Sequence, residues 1–519
     1  MATMFAYQAF DYRSLNLNDL IAKQTDFEFN DDLYYSFNGI TYEDVVYFEH
    51  YSDGYVGSFF GGTGITFNSD QSEVTGGTVT GYFEEYGDGG NWVDAWLVQN
   101  FAYSAVRMAE AAYSSGTADD FAVIAGILGG NDSIRLSPYG DLVRGYGGND
   151  QIFGNGGNDL LYGDAGADTL DGGAGSDTLL GGAGNDTYIV ANVGDRVYET
   201  TTLGGTTNAG GTDTVRSSVN HALGSYVENL VLAGSSAING TGNGLANRLT
   251  GNAAANVLDG RGGADTMLGG RGNDVYYVDN LGDRVYETTT VGGSTDAGGT
   301  DTVRSSVNHA LGSYVENLVL TGSGSISGTG NGLANRLTGN AAANILNGGG
   351  GSDTLLGGGG SDRLAGGAGG DKLSGGGGAD RFTFTSKVGS DTVTDFLSGT
   401  DKLAFSQAGL KVGDGDVVVE GAVVRAAAGG FASSAELVIF SSNVASLTAT
   451  SAAAAIGSAT SAMATGKTAL FAVDNGTASA LYLFTSADGN AAVSSGELAL
   501  LATLGSTPAT AVSDYLFLA

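Results

Sequence analysis

The chain has 519 residues, of which 90 are glycine, two proline and none cysteine, and its 56 acidic against 21 basic residues leave a net charge of −35. That length favours two to four domains. The glycine follows no G-x-y period, which excludes collagen, and the lack of cysteine excludes disulfides and thiolate metal sites. So acidic a chain is a poor partner for nucleic acid or anionic membrane and a good one for cations.

The opening MATMFAYQAFDYRSLNLNDL lacks a basic segment followed by an apolar core, so no Sec signal peptide is expected. No run of about 18 apolar residues occurs anywhere, so no transmembrane helix is expected either. Residues 1–126 carry 19 acidic residues against Arg13, Lys23 and Arg107, a net −16. Alternation in GITFNSDQ and TGGTVTGYFEEY predicts β-strands joined by glycine turns. Phe101, Ala105, Met108, Ala109 and Ala112 recur at helical spacing and predict an amphipathic helix over Val98–Ser114. A strand-like IAGILGGNDSI comes next. The carboxylates of this region, with Trp92 and Trp96, would suit a sugar site, since glycosidases need paired acids and aromatic platforms. The simpler reading makes these aromatics core and cap.

Five nonapeptides then run in tandem over Gly145–Ile189: GYGGNDQIF, GNGGNDLLY, GDAGADTLD, GGAGSDTLL and GGAGNDTYI. Gly145, Gly154, Gly163, Gly172 and Gly181 stand first, Gly147 and Gly156 third in the first two, and Asp150, Asp159, Asp168, Asp177 and Asp186 sixth. The eighth residue is aliphatic except at Tyr188. Glycine permits the turn, and the last three residues make a short strand with one inward side chain. Two nonapeptides close one coil, so residues eighteen apart lie above one another: Asp150 over Asp168, Asp159 over Asp177, Asp168 over Asp186. Carboxylates so stacked repel by roughly 4 kcal/mol at ~4 Å and an effective dielectric of about 20. A hard divalent cation between them reverses the sign. The register begins earlier, at Asp132 and Asp141, in degenerate turns, so Ile127–Arg144 reads as an imperfect first coil.

Residues 181–260 recur almost unchanged at 269–348, an offset of 88. The repeat carries Asp265 and Asp274. Both copies end in nonapeptides with asparagine sixth: Asn247 and Asn256, then Asn335 and Asn344. These are expected to continue the roll through amide ladders or weaker metal sites, with Asn247 stacked on Asp265 and Asn256 on Asp274. A last array carries Asp353, Asp362, Asp371 and Asp380 with Gly348, Gly350, Gly357, Gly359, Gly366 and Gly375. Asp353 pairs with Asp371 and Asp362 with Asp380. Leu355, Leu364 and Leu373 give way to Phe382, where the roll is expected to end.

The repeat resembles the G-G-x-G-x-D-x-U-x element of RTX, or hemolysin-type, calcium-binding proteins. The resemblance implies a parallel β-roll holding several Ca2+ ions, a cation that accepts six or more oxygens in loose geometry. It also implies export from a Gram-negative bacterium by a type I secretion ABC transporter. In that scheme the chain stays unfolded in the calcium-poor cytosol and folds outside, the bound metal supplying folding energy. The segment before the first array resembles the lead-in of many RTX proteins, and SDTVTDFLSGTDKLAFS resembles the segment just after the arrays of secreted RTX proteases. Strands are expected in DVVVEGAVVRA and ELVIFSS, a linker or weak helix over Ala445–Lys467, and the close at Asp514 in DYLFLA is similar to type I secretion tails. Ser486, Asp488, Asn490, Ser494 and Glu497 also align with an EF-hand loop, although Ala491 stands where that loop needs glycine.

The expected fold is all-β. Residues 127–383 form the β-roll, 1–126 an acidic, mainly-β (α+β) cap, and 384–519 a β-rich secretion-signal region. The expected function is that of a secreted calcium-binding β-solenoid in a surface layer, matrix or adhesive role, self-associating or binding cell-surface polysaccharide. The rival is an RTX-exported enzyme acting on polysaccharide through residues 1–126. No catalytic residue is assigned. H-E-x-x-H and G-x-S-x-G are both missing, His221 and His309 occupy the same position of the repeat, and His50 reads as a half-exposed strand residue. A pore-forming cytolysin would need a long apolar helical segment, which the sequence lacks.

Overall fold

The x-U-x end of each nonapeptide becomes a strand of three to six residues whose central side chain points inward. The structure, a computed structural model, describes residues 3–6, 24–30, 35–37, 40–42, 44–52, 54–67, 74–88, 91–104, 118–505 and 510–519, those before 122 and residue 123 by their backbone. The chain divides into two compact units, Met1–Asn252 and Ala253–Ala519.

In the first unit, parallel pairing joins residues eighteen apart: Ser133 to Gln151, Gln151 to Thr169 and Thr169 to Thr187 on one sheet. Leu142 to Leu160, Leu160 to Thr178 and Thr178 to Arg196 form the other. Each coil thus gives one strand to each of two parallel sheets, as the nine-residue register predicts. Ile134, Ile152, Leu170 and Tyr188 stack within one sheet, and Val143, Leu161 and Leu179 within the other, all with no exposed surface. Each such aliphatic side chain contributes roughly 1.5–3 kcal/mol by burial.

The period then breaks. Thr187 pairs with Thr214, Thr214 with Asn229 and Asn229 with Arg248, so coils of 27, 15 and 19 residues succeed those of 18. The roll keeps its hydrogen bonding because the extra residues leave as surface loops while Val215, Leu230 and Leu249 continue the inward stack.

At the start of this unit, strand Thr3–Ala6 pairs in parallel with Ser133–Arg135 and antiparallel with Asn91–Ser104. The antiparallel strands Gln24–Asn30, Asp44–Ser52, Gly54–Phe67, Val74–Asp88 and Asn91–Ser104 therefore extend the first coil's sheet and cover its open edge. Of the strand expected in GITFNSDQ, residues 64–67 end strand Gly54–Phe67 and residues 68–71 lie outside the described part, while TGGTVTGYFEEY falls within Val74–Asp88. The helix expected over Val98–Ser114 needs correction. Val98–Ser104 is strand, paired along Val74–Asp88 and, at Val98 and Gln99, also with Thr3–Ala6, and residues 105–117 lie outside the described part. Sheet pairing overrides a helical spacing that aromatic and small residues also satisfy in a strand. A helix lies at Ala118–Ile127, overlapping only the first four residues of the segment expected to be strand-like, with glycines just past its end, and that segment ends in strand Ser133–Arg135. The side chains of His50, Trp92 and Trp96 lie outside the described residues.

The second unit repeats the pattern. Coils of 18 join Val257 to Val275 and Thr266 to Arg284, then coils of 27, 15 and 19 run through Val275, Thr302, Asn317 and Arg336. Coils of 18 resume through Thr354 and Lys372, and through Ile345, Arg363 and Arg381. Phe382 does not end the roll. Strand Arg381–Phe384 pairs in parallel with Lys402–Ser406, and that strand with Tyr515–Leu518. Phe384, Phe405 and Tyr515 stack as larger inward residues where the coil widens.

Beside it, Asp391–Val393 pairs with Leu498–Gly505, which continues into Ala478–Thr485, Thr468–Asp474 and Leu437–Asn443. Phe431, Phe440, Phe471, Tyr482 and Phe484 pack against helix Ala449–Ile456 to give this end its own core. That helix starts at Thr448, whose hydroxyl accepts the Ser451 N–H. Of DVVVEGAVVRA only Val423–Arg425 is strand. Upstream, the Glu436 carboxylate accepts the N–H groups of Asp414 and Glu420, and Asp416 accepts that of Val418. These local bonds compete with sheet formation.

Candidate metal centre

The nonapeptide aspartates form a ladder of a particular kind. Each uses one carboxylate oxygen to accept the backbone N–H of the equivalent residue one coil earlier. The N–H of Asp132 goes to Asp150 Oδ1 at 2.8 Å, that of Asp150 to Asp168 and that of Asp168 to Asp186. A second ladder links Asp141, Asp159, Asp177 and Asp195. In the second unit, Asp265 donates to Asp283. Asn335, Asp353, Asp371 and Asp391 make one series there, and Asn344, Asp362, Asp380 and Asp401 another. The eighteen-residue stacking was legible in the sequence, but its chemistry is N–H to carboxylate, not carboxylate against carboxylate.

What distinguishes the rungs is the second oxygen. Oδ2 of Asp150, Asp159, Asp168, Asp177 and Asp186 is buried without a hydrogen-bond partner, as it is in Asp274, Asp353, Asp362 and Asp371. These residues are at most 2% exposed. A buried unpaired carboxylate oxygen costs far more than a neutral polar group unless a cation or proton meets it. The first glycine of each repeat makes the room. A Cβ on Gly145 would collide with Asp150 Oδ2 and crowd the Gly163 carbonyl oxygen, and the same relation holds at Gly154, Gly163, Gly348, Gly357 and, for their own Asp, at Gly172, Gly181, Gly366 and Gly375. Carboxylate and carbonyl oxygens therefore face one small space, a donor set that suits calcium. Gly147, Gly156, Gly350 and Gly359 meet no atom closer than 3.4 Å at their Cβ position. The residue after Gly147 is the one needing a positive φ, Gly148 at 102°.

Three of the ladder ends are closed by the protein itself. Asp141 Oδ2 accepts the N–H and hydroxyl of Ser137, Asp195 Oδ2 the N–H groups of Ala191 and Asn192, and Asp401 Oδ2 that of Leu397. The asparagine turns are closed as well. Asn335 Oδ1 accepts the Asn331 N–H while its Nδ2 donates to the Val315 carbonyl, Asn344 does likewise with Asn340 and Ile326, and Asn247 with Asn243 and Val227. Asn256 donates its N–H to Asp274. An amide supplies the donor that a carboxylate lacks, so these turns hold together by hydrogen bonds alone. In the tail, Glu497 accepts the N–H of Ala487 and both the N–H and hydroxyl of Ser494, and Asp488 bonds Asn490. Those contacts make a capped turn from the residues that align with an EF-hand loop.

Sequence reading missed the carboxylates that carry the ladders through irregular coils. The Asp186 N–H donates to Asp213 and the Asp213 N–H to Glu228, over spacings of 27 and 15. Asp274, Asp301 and Glu316 repeat this, and Asp391 and Asp401 extend it at spacings of 20 and 21. One signal was present. Tyr188 and Tyr276, aromatic at an aliphatic position, each donate a hydroxyl hydrogen bond to a buried glutamate eleven residues on, Glu199 and Glu287.

Burial raises the carboxyl pKa of Asp150 to about 8, with the charges of Asp168 and Asp132 adding to it, and those of Asp159 and Asp168 to about 7. Asp274, Asp353 and Asp362 rise to about 6, again chiefly through burial. The backbone N–H bonds oppose the rise at every one of these sites.

The comparisons agree with this geometry. The RTX calcium-binding nonapeptide repeat, described in four copies, matches residues 128–161, 153–188, 241–276, 329–364 and 356–385. No curated protein matches the chain. The chain is thus an RTX-repeat protein, an all-β calcium-binding β-solenoid that takes several Ca2+ ions. No helix among the described residues is long and apolar enough to cross a membrane.

Gly163→Ala is expected to weaken calcium binding at its turn by roughly 10–100-fold, the scale of a perturbed ligand shell, while Gly147→Ala leaves binding unchanged; calcium titration calorimetry reads both. Folded-state carboxyl pKa values lie above their unfolded ones, so protons stabilise the metal-free fold, and this stability is lost as pH rises through about 6 to 8. Chelator-treated protein should therefore resist urea better at about pH 5 than at about pH 8, and saturating calcium should remove that advantage.

Proposed function

We propose that the protein is exported by a type I secretion ABC transporter and folds on meeting external calcium. Outside the cell it serves as a structural component of a surface layer, matrix or adhesive coat. The observation that carries this reading is the row of buried aspartate oxygens that no protein donor meets. A chain with so many open carboxylates cannot close its core in a calcium-poor compartment at neutral pH, and it can do so in millimolar calcium. Folding is then coupled to location by metal binding. The aspartates serve as the calcium ligands, with the first glycines and turn carbonyls completing the shells.

The structural role is supported by proportion. Most of the chain is scaffold, repeated by duplication and tolerant of it because each coil contacts mainly its neighbours. The excess of acidic residues, 56 against 21 basic, keeps metal-free chains apart and lets calcium bridge them or link them to acidic polysaccharide. The closing segment is part of the fold: Asp514 accepts hydrogen bonds from Ser398 and Gly399 and leads into strand Tyr515–Leu518. A secretion signal at that end would be accessible before folding and hidden after it.

A calcium titration of chelator-treated protein tests both parts of the proposal in one sample. The β-signal in circular dichroism should rise cooperatively, and light scattering should report larger particles that disperse when chelator is returned. An unchanged spectrum would overturn the folding switch. A folded chain that stays a single particle at all calcium concentrations would overturn the assembly role.

A further inference from the structure

Each copy of the duplicated segment contains one coil of 27 residues, and inside it three carboxylates meet. Asp186 and Asp213 are successive rungs of the ladder, with the Asp186 N–H on Asp213 Oδ1 at 2.8 Å. Glu199, at the end of strand Arg196–Tyr198, turns inward between them and is held by the Tyr188 hydroxyl on Oε1. That leaves Asp186 Oδ2, Glu199 Oε2 and Asp213 Oδ2, all buried and none with a hydrogen-bond partner. The three residues are at most 1% exposed, and their ligand oxygens lie within 4.8 Å of one another. The second copy places Asp274, Glu287 and Asp301 in the same way, with Tyr276 on Glu287.

Among the described residues, the ion pairs made by lysine or arginine are Arg144 with Asp164 and Lys402 with Asp514. No side-chain cation therefore serves either group. We infer that Asp186, Glu199 and Asp213, and likewise Asp274, Glu287 and Asp301, form two sites of a second kind for a hard divalent cation, each taking the open oxygen of a nonapeptide aspartate and adding two carboxylates from outside that turn. The donors are all oxygen, three of them carboxylate, with no imidazole or thiolate, which selects calcium over zinc or copper.

These sites differ from the repeats in what they hold. A nonapeptide turn offers an aspartate and glycine carbonyls along the roll. Here a glutamate from outside the motif closes the base of a surface loop: the Glu199 carbonyl accepts the Ala209 N–H, and the Glu287 carbonyl that of Ala297. The cation joins the loop's two ends, at Glu199 and Asp213, to the ladder at Asp186. Tyr188 and Tyr276 act as positioning residues, each fixing the rotamer of its glutamate. That accounts for a tyrosine where most of the other nonapeptides carry an aliphatic residue.

The alternative occupant is a proton shared between Glu199 and Asp213. Glutamine in place of glutamate keeps the shape and supplies a donor as a protonated carboxyl would, but it weakens a cation site. The full chain and its Glu199→Gln/Glu287→Gln variant are loaded with calcium, and bound ions are counted by equilibrium dialysis. The variant should bind two fewer ions than the unmodified chain, and each single variant one fewer. Equal counts would overturn the inference while leaving the nonapeptide sites standing, whereas a parent chain that binds no calcium would overturn both. Should the variants not fold, crystals of the unmodified protein soaked in terbium decide the matter. Anomalous peaks are expected between Asp186, Glu199 and Asp213 and at the second triad, and their absence there, with peaks at the nonapeptide turns, would contradict the proposal.

Discussion

The constraint on which everything else depends is the half-satisfied carboxylate. In each interior aspartate turn one oxygen takes a backbone N–H from the neighbouring coil, which sets the coils in register. At Asp150, Asp159, Asp168, Asp177, Asp186, Asp274, Asp353, Asp362 and Asp371 the other oxygen is buried and unmatched. The hydrogen bond alone would not hold, because at neutral pH it brings an uncompensated charge into the interior with it. A cation shared with turn carbonyls turns that cost into cohesion. The apolar stack of Ile152, Leu170 and their neighbours closes over that column of carboxylates, which is the physical ground for the proposal that coil packing and metal binding are one event.

The turns that lack an open oxygen make the same point from the other side. Where the sequence places asparagine, as at Asn247, Asn335 and Asn344, the amide donates where a carboxylate cannot, and every polar atom of the side chain finds a partner. At Asp195 and Asp401, where a ladder stops, loop N–H groups close the second oxygen. The roll therefore alternates metal-dependent stretches with stretches stitched by amides. Its exposed edges are covered by further strands: Thr3–Ala6 on the first coil, and Tyr515–Leu518 and Leu498–Gly505 on the last. An unpaired solenoid end is a template for edge-to-edge association.

Much of this was legible in the sequence because the nonapeptide is both a local and a long-range code. Glycine first, aspartate sixth and an aliphatic residue eighth give the turn, the rung and the core together, so Asp150 over Asp168 and Leu170 inward can be read from spacing alone. The irregular coils were not legible. Asp213 and Glu228 occupy rung positions through loops of unequal length, and only the folded backbone reveals that residues 27 and 15 apart are equivalent. Asp391 and Asp401 escaped notice for the same reason. Over Val98–Ser104 the periodicity favoured a helix, and the neighbouring strands decided otherwise. The exception at Tyr188 carried information that a pattern treats as noise.

The central claim is that, once the carboxyls have ionised, the ladder of N–H to carboxylate bonds exists only with cations on the open oxygens. Hydrogen exchange of the full chain at neutral pH, in calcium and after chelation, tests it most directly. Peptides spanning Asp150–Asp186 and Asp353–Asp380 are expected to hold strongly protected amides in calcium and to exchange freely once it is removed. Protection of those amides that survives complete chelation would contradict the account.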